Sequence, residues 1–287
     1  MRISGTTKLV GLFGYPVKHS FSPIIHNAAF AALGLDYVYI PFCVSPDKLK
    51  IAVEALVSLG IKGINVTIPH KETVIPFLDK IMPEAELIGA VNTINIDAQN
   101  RLIGYNTDGT GFITALLSDL NITVEDKKML LLGAGGGARA VGIQSALSNI
   151  REIYVRDIDD TKTNKLIADI KKSNKNVYTE AIAKQQIQSV LSKIDILVNA
   201  TPIGMQPEDP LLLEPDWLRP EVKVFDLIYN PFETNLIKVA KQRECIATNG
   251  LNMLIQQGVR SFEIWTGIQP PVEIMRQAIM DYLYKKH

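Results

Sequence analysis

Short apolar runs rich in β-branched and aromatic residues alternate along the chain with longer stretches whose apolar positions recur at helical spacing. This alternation predicts an α/β fold with mainly parallel sheets. "KLVGLF" (8–13) reads as the first strand. "SPIIHNAAFAALG" reads as a helix with Ser22 as N-cap, Pro23 at its first position and Gly34 as its stop. "DYVYIPF" is a second strand, "SPDKLKIAVEALVSLG" repeats the Ser-Pro opening and Gly ending, and "GINVT" is a third strand. In "INVTIPHKET" (64–73) the strand stops at a proline, and His70 and Lys71 open what reads as a helix. "TINI" and "RLIGY", joined by "DAQN", have the form of an antiparallel hairpin.

After Asp108 the texture changes. "KKMLLLGAGGGARAVGIQSAL" is a buried strand, a glycine turn and a helix. "EIYVRD", "IDILVNATP" and "KVFDLIY" are later strands, and from Asn249 to Lys286 the pattern is helical with no new strand. Two domains are expected, with the helical tail packing back on the first.

Composition narrows the class of partner. Of 287 residues, 47% are hydrophobic and 21% charged, and 30 basic residues cancel 30 acidic ones. A neutral chain gives no footprint for nucleic acid or an anionic membrane. Neither a signal-peptide core nor an apolar run of membrane-spanning length is evident, so a cytoplasmic protein is expected. Cys43 and Cys245 lack CxxC spacing and read as buried structural thiols. His19, His26 and His70 have no accompanying metal-ligand spacing, so no metal is expected.

The glycine turn carries the first specific chemistry. Gly133, Gly135 and Ala138 fit G-x-G-x-x-G/A between an apolar strand and a helix. One glycine makes the tight turn, the second admits a pyrophosphate against the backbone, and the small third residue lets helix and strand pack closely. The helix N-terminus then presents unpaired N–H groups to the phosphates. Gly133, Ala134, Gly135, Gly136, Gly137 and Ala138 are therefore candidate cofactor-binding residues. At the end of the next strand a carboxylate favours NAD and an arginine favours the 2′-phosphate of NADP. "YVRDIDDTK" places Asp157 there, with Arg156 adjacent.

Polar residues also collect at strand ends and turns of the first domain, in "HSFSP", "NVTIPHK", "GAVNT" and "YNTDGTG". Such a set suits a small, multiply hydroxylated ligand. Together with "GAGGGARA", "NATPIGM", "DLIYNP" and "GLNMLIQQG", these motifs resemble, nearly end to end and in order, the shikimate dehydrogenase family (shikimate 5-dehydrogenase, including the quinate/shikimate dehydrogenases). The resemblance implies NAD(P)-dependent interconversion of 3-dehydroshikimate and shikimate, a step of aromatic biosynthesis. It also implies an N-terminal α/β substrate domain, 1–108 plus 249–287, a Rossmann-like dinucleotide-binding domain, 109–248, and an active site in the cleft between them.

Carried over by motif, Lys71 and Asp108 match the catalytic pair. Ser20 and Ser22 match the serines that take the substrate carboxylate. Thr67, Asn92 and Asp108 match the residues contacting the ring hydroxyls, Asn65 lines the same pocket, and Tyr229 and Gln257 match further substrate contacts. Thr201, Met205, Leu227 and Gly250 match positions near the cofactor. Alone, Ser22 would be a helix cap, Lys71 a surface lysine and Asp108 a cap of the following helix; the constellation changes those readings. One motif departs: where NADP-using members have "NRT", this chain has Asp157, Ile158 and Asp159. The phosphate-binding arginine is missing, so NAD is favoured over NADP. A quinate/shikimate enzyme and a non-catalytic NAD-binding regulator are the rival readings. Lys71 and Asp108, both present, speak against the regulator. The expected partner is shikimate or 3-dehydroshikimate, and the expected assembly a monomer or homodimer.

Overall fold

The computed structural model describes residues 3–284; the helical reading of Lys285 and Lys286 lies outside the described residues. The chain divides into two compact units, one formed by 1–107 with 255–287 and the other by 108–254. Mixed α/β structure builds both.

Unit one runs β1 (Lys8–Gly14), α1 (Ser22–Ala32), β2 (Tyr37–Cys43), α2 (Leu49–Ser58), β3 (Gly63–Val66), β4 (Lys80–Ile81), α3 (Pro83–Ile88), β5 (Thr93–Ile96) and β6 (Leu102–Tyr105). Its six-stranded sheet has the order β2-β1-β3-β5-β6-β4. β1 pairs parallel with β2 and β3, whereas β5 runs antiparallel to β3 and β6. The β5–β6 hairpin is the one the sequence predicts, and the Asp97 carboxylate organises its turn by accepting the Gln99 and Arg101 N–H groups, each at 2.9 Å. One core packs Phe13, Val53, Leu56, Ile61, Ile64, Val74, Val91 and Ile94 between sheet and helices.

Unit two runs α4 (Asp108–Leu120), β7 (Lys128–Leu132), α5 (Gly136–Leu147), β8 (Glu152–Arg156), α6 (Asp160–Ser173), β9 (Tyr178–Ala181), α7 (Ile187–Leu191), β10 (Ile196–Asn199), β11 (Lys223–Asp226), α8 (Asn235–Gln242) and β12 (Ala247–Thr248). Its sheet has the order β12-β11-β10-β7-β8-β9, with every neighbouring pair parallel. The strand order reverses between β7 and β10, the switch point where open α/β sheets bind ligands at strand C-termini.

The chain closes with α9 (Leu251–Thr266) and α10 (Val272–Tyr284). From Ile255 onward these helices belong to unit one, as expected, with α10 against α1. Trp265 of α9 docks on the sheet, its Nε1 donating to the Ile94 carbonyl at 3.0 Å. Gly63 makes the room, since a methyl there would strike the indole. Among the described residues no helix is long and apolar enough to cross a membrane.

Several local expectations need correction. No α-helix follows Pro69: Lys71–Val74 form a turn and Ile75–Phe77 a single 3-10 turn. Pro76 is the reason, because it has no N–H to donate to the Glu72 carbonyl and so cannot continue an α-helical ladder, and Thr73 and Val74 are β-branched. Ser22 is the first helical residue of α1 rather than its cap; Phe21 holds the cap position, and Pro23 lies within the first turn. Ser20 Oγ instead accepts the Ser22 N–H at 3.2 Å. Gly34 ends α1 with φ +63, as expected of a left-handed stop. Cys43 is exposed, not buried, because β2 is an edge strand; Cys245 is buried. The short elements β4, α3, β9 and β12 carry too little periodicity to be predicted.

Candidate active site

In unit one the polar strand ends are held by a buried network. Asn65, only 4% exposed, sits at its centre. Its Nδ2 lies 3.2 Å from the Asn92 carbonyl and 3.0 Å from both Thr93 Oγ1 and Ser261 Oγ, and its Oδ1 accepts from the Tyr39 hydroxyl at 2.8 Å. A backbone carbonyl only accepts, so the amide nitrogen must face Asn92, and Tyr39 must donate. Burial raises the Tyr39 phenol well above the ordinary value. The amide of Asn65, expected to line the substrate pocket, supports the neighbouring side chains through these bonds. Removing the donor by Tyr39→Phe leaves Asn65 Oδ1 short of a partner. We expect a loss of about 1–3 kcal/mol of unfolding free energy, read by urea denaturation.

His26, completely buried, stacks on Tyr39 with ring centroids 4.6 Å apart and an interplanar angle of 4°. Burial lowers its pKa to about 3, so it is neutral and serves as an aromatic plate. His70 Nε2 lies 2.7 Å from the Val44 carbonyl. Both histidines are thus packing residues.

His70 also fixes Lys71. Its ring is buried, its N–H donates to the Thr67 carbonyl at 2.9 Å, and the Lys71 carbonyl accepts the Val91 N–H at 2.8 Å. Thr67 is bound to the sheet through its own N–H, which donates to Phe13 at 2.9 Å. The next residue along from Val91, Asn92, accepts the Thr107 N–H on its Oδ1 at 2.8 Å and donates from Nδ2 to Thr107 Oγ1 at 2.9 Å. Asp108 follows Thr107 directly and opens α4 as its first residue, so it is not the residue preceding the helix. Consecutive residues, Val91 and Asn92, therefore anchor the backbone at Lys71 and the residue before Asp108. Thr67, Lys71, Ser20 and Asp108 are half-buried, whereas Ser22, Asn92 and Gln257 are buried. Ser261, Thr93, Thr107 and Tyr39 went unnoticed in the sequence; their partners lie up to 196 residues away.

In unit two the glycine turn has the shape a pyrophosphate needs. Gly133 has φ +105, and a methyl there would come within 2.8 Å of the Ala200 oxygen. Gly135 is the N-cap of α5 with no side-chain cap, and a methyl on Gly135 or Gly136 would meet only open space. The helix N-terminus is thus left uncovered for an anion. Ala138 is fully buried, and Leu227 Cδ2 lies 3.1 Å from where a Gly137 methyl would stand. A methyl on Gly250 would run into the Leu227 backbone, so that glycine is required by close approach. Met205 is half exposed and Tyr229 half-buried, with burial raising the Tyr229 phenol.

Beside the turn lies a cavity of about 500 Å³ whose lining includes Gly135, Arg156, Asp157, Ile158, Lys162 and Lys184. The Asp157 carboxylate accepts the Ala134 N–H at 2.7 Å and the Asp159 N–H at 2.9 Å. Ile158 is 93% exposed, and Asp159 caps α6 by accepting the Lys162 N–H.

At the ends of β10 and β11 the sequence reading missed a buried carboxylate. Asp226 accepts from Asn199 Nδ2 at 2.9 Å, the Ile228 N–H at 3.1 Å and the Thr234 hydroxyl at 2.7 Å. Burial nevertheless pushes its pKa up to about 6. The folded protein then takes up a proton between pH 6 and the ordinary 3.8 that the unfolded chain does not. The charge lowers stability above pH 6, and the penalty is relieved as pH falls through that range. Asp226→Asn should therefore be more stable than the parent by about 1–3 kcal/mol near pH 8, with the gain vanishing by about pH 4. Urea denaturation across pH checks this, and a pH-independent difference would contradict it.

An all-parallel sheet with a glycine turn at its switch point, in a chain that also carries a second α/β unit, defines the class: a dinucleotide-binding protein of Rossmann type. The comparisons narrow it. Residues 12–94 match the family description "Shikimate dehydrogenase substrate binding domain" and residues 250–280 match "Shikimate 5'-dehydrogenase C-terminal domain". The chain is 46% identical to the shikimate dehydrogenase (NADP(+)) of Desulforamulus reducens over 97% of this chain and 96% of that one. A solved shikimate dehydrogenase in complex with NADP+ is 44% identical, with TM-score 0.91 over 98% of this chain and 97% of that one. The shikimate 5-dehydrogenase of Listeria monocytogenes, solved with shikimate and NAD, is 39% identical, with TM-score 0.92 over 97% and 98%. The chain belongs to the shikimate dehydrogenase family.

Proposed function

We propose that the protein catalyses the reversible NAD(P)-dependent reduction of 3-dehydroshikimate to shikimate, with Lys71 and Asp108 as the pair that handles the reacting oxygen. The observation that carries this reading is the double anchor at Val91–Asn92, which holds the Lys71 backbone and the residue preceding Asp108. A lysine and an aspartate placed by consecutive residues of one buried network are pre-positioned for a shared task.

A bound nicotinamide dinucleotide supplies or accepts the hydride. The uncovered N-terminus of α5 and the open space over Gly135 and Gly136 fit its pyrophosphate. In reduction, negative charge develops on the carbonyl oxygen, and the Lys71 ammonium stabilises it by hydrogen bonding. In oxidation, the Asp108 carboxylate accepts a hydrogen bond from the substrate hydroxyl, and the Lys71–Asp108 pair takes its proton. Ser20 and Ser22 hold the substrate carboxylate. The Ser20 oxygen accepts the Ser22 N–H, which leaves its own proton for that carboxylate. Thr67 and Asn92 face the ring hydroxyls, with Tyr229 and Gln257 as further contacts.

On the cofactor side the reading assigns the turn Gly133–Ala138, Thr201, Met205, Leu227 and Gly250 to the dinucleotide, and Asp157 to the side that discriminates NAD from NADP. The relatives named for NADP(+) and the Listeria structure with NAD show both nucleotides in the family. For this chain, Asp157 at the turn and Ile158 where an arginine would stand support NAD.

Quinate carries a hydroxyl on the carbon that bears the carboxylate, where shikimate has a ring double bond, and that carbon would lie close to the serine pair. Steady-state kcat/KM for both compounds is the test. The proposal expects shikimate to be the better substrate, and a preference for quinate would move the assignment to a quinate dehydrogenase.

A further inference from the structure

Unit two keeps a carboxylate in a place that makes it costly. Asp226 and Asn199 are both fully buried, and they are register partners at the last residues of neighbouring strands β11 and β10. From each strand end runs a loop that lines the dinucleotide side. Asn199 governs the first: its Oδ1 accepts the Thr201 N–H at 3.0 Å and the Thr201 hydroxyl at 2.7 Å, and its Nδ2 holds the Ile203 carbonyl at 3.1 Å. Thr201 Oγ1 then accepts the Ile203 N–H at 3.1 Å. Asp226 governs the second by taking the Ile228 N–H and the hydroxyl of Thr234, the N-cap of α8. The Asn199–Asp226 hydrogen bond joins the two systems.

These loops touch the glycine turn itself. Ala200 and Thr201 are the atoms a methyl on Gly133 would strike, and Leu227 stands over Gly137. The positions of the turn's neighbours thus trace back to one buried pair. A buried carboxylate contributes little to stability for its own sake, since an apolar replacement of the same volume often does as well or better. What it supplies here is three acceptor bonds in fixed directions, which no apolar side chain provides.

We propose that Asp226 is a positioning residue for the dinucleotide, acting through Asn199 on the loop that carries Thr201 and through Ile228 on the loop that carries Leu227. The proposal rests on the reading of unit two as the cofactor unit. Asp226 does not touch the nucleotide. It sets the pose of two walls of its site, and its loss lets both walls relax. An asparagine keeps the acceptor oxygen for Asn199 and Ile228, and its amide faces a Thr234 hydroxyl able to turn and accept. The conservative variant therefore retains the device.

The test is binding of NADH and NADPH to the full-length protein, titrated by cofactor fluorescence and paired with steady-state kinetics. Asp226→Ala and Asn199→Ala should each raise the dissociation constant about tenfold or more. Asp226→Asn should stay within about threefold of the parent, and the Asp226→Ala/Asn199→Ala double should bind no more weakly than the weaker single. Tyr229 follows Ile228 on the same loop, so KM for shikimate at saturating cofactor should rise by less than the dissociation constant of the nucleotide in every variant, and a larger rise in KM would overturn the proposal. Thr234→Val, which removes one of the three bonds and keeps the shape, should weaken binding in the same direction, and it carries the test should Asp226→Ala not fold. Parental affinity in Asp226→Ala or Thr234→Val, or additive losses in the double, would overturn the proposal. A parent protein that binds neither nucleotide would overturn the cofactor reading beneath it.

Discussion

Lys71→Ala should lower kcat for shikimate oxidation by about 10²–10⁴ while leaving the dissociation constant of the nucleotide unchanged within about threefold. The size follows from what the ammonium does. It stabilises charge that exists on the reacting oxygen only near the transition state, so its loss appears in kcat rather than in ground-state binding. The backbone carbonyl of Lys71 accepts the Val91 N–H, and the neighbouring His70 is buried. Alanine keeps both of these anchors. Asp108→Asn should give a loss in the same direction, and the double variant should lose much less than the product of the two single losses, because the residues act as a unit. A kcat for Lys71→Ala within a few-fold of the parent would remove the lysine from the chemistry.

The second large effect concerns the nucleotide. The protein should use NAD with a kcat/KM at least about tenfold above that for NADP, because a carboxylate about 4 Å from a 2′-phosphate repels it by up to about 4 kcal/mol at an effective dielectric near 20. Arg156, Lys162 and Lys184 line the same cavity and offset part of that repulsion, which keeps the expected preference below the Coulomb limit. Ile158→Arg tests the origin of the preference. Residue 158 is almost fully exposed, so a guanidinium fits without repacking, and NADP turnover should rise about tenfold with little change for NAD. Asp157→Ala is expected to behave differently. The same carboxylate holds the Ala134 N–H inside the glycine turn, so its removal should weaken both nucleotides while narrowing the gap between them. A parent enzyme that prefers NADP would show that the three cations outweigh Asp157.

Local pattern revealed much of this fold. Strands with strong alternation, the glycine turn and the hairpin around Asp97 all follow from spacing and turn chemistry confined to a dozen residues or fewer. The segment after Pro69 misled because the polar run His70-Lys71-Glu72 resembles a helix start, while the decisive residue, Pro76, lies at its far end. The candidate site was legible as an ordered set of motifs, but its support was not. Asn65 reads as a ligand-facing amide at a strand end, and only folding brings Ser261 and Tyr39 to saturate it. Asn199 and Asp226 did carry a signal: each is a polar residue closing an apolar strand, the position where ligand loops begin. Their mutual hydrogen bond spans 27 residues and has no local trace.

The most direct test of the central claim is the shikimate-dependent appearance of reduced nucleotide, followed by absorbance with purified full-length protein and saturating NAD or NADP. The account predicts steady turnover with shikimate, faster with NAD, and near-background rates from Lys71→Ala in the same assay. A parent protein that binds nucleotide yet forms no reduced cofactor on addition of shikimate would contradict it.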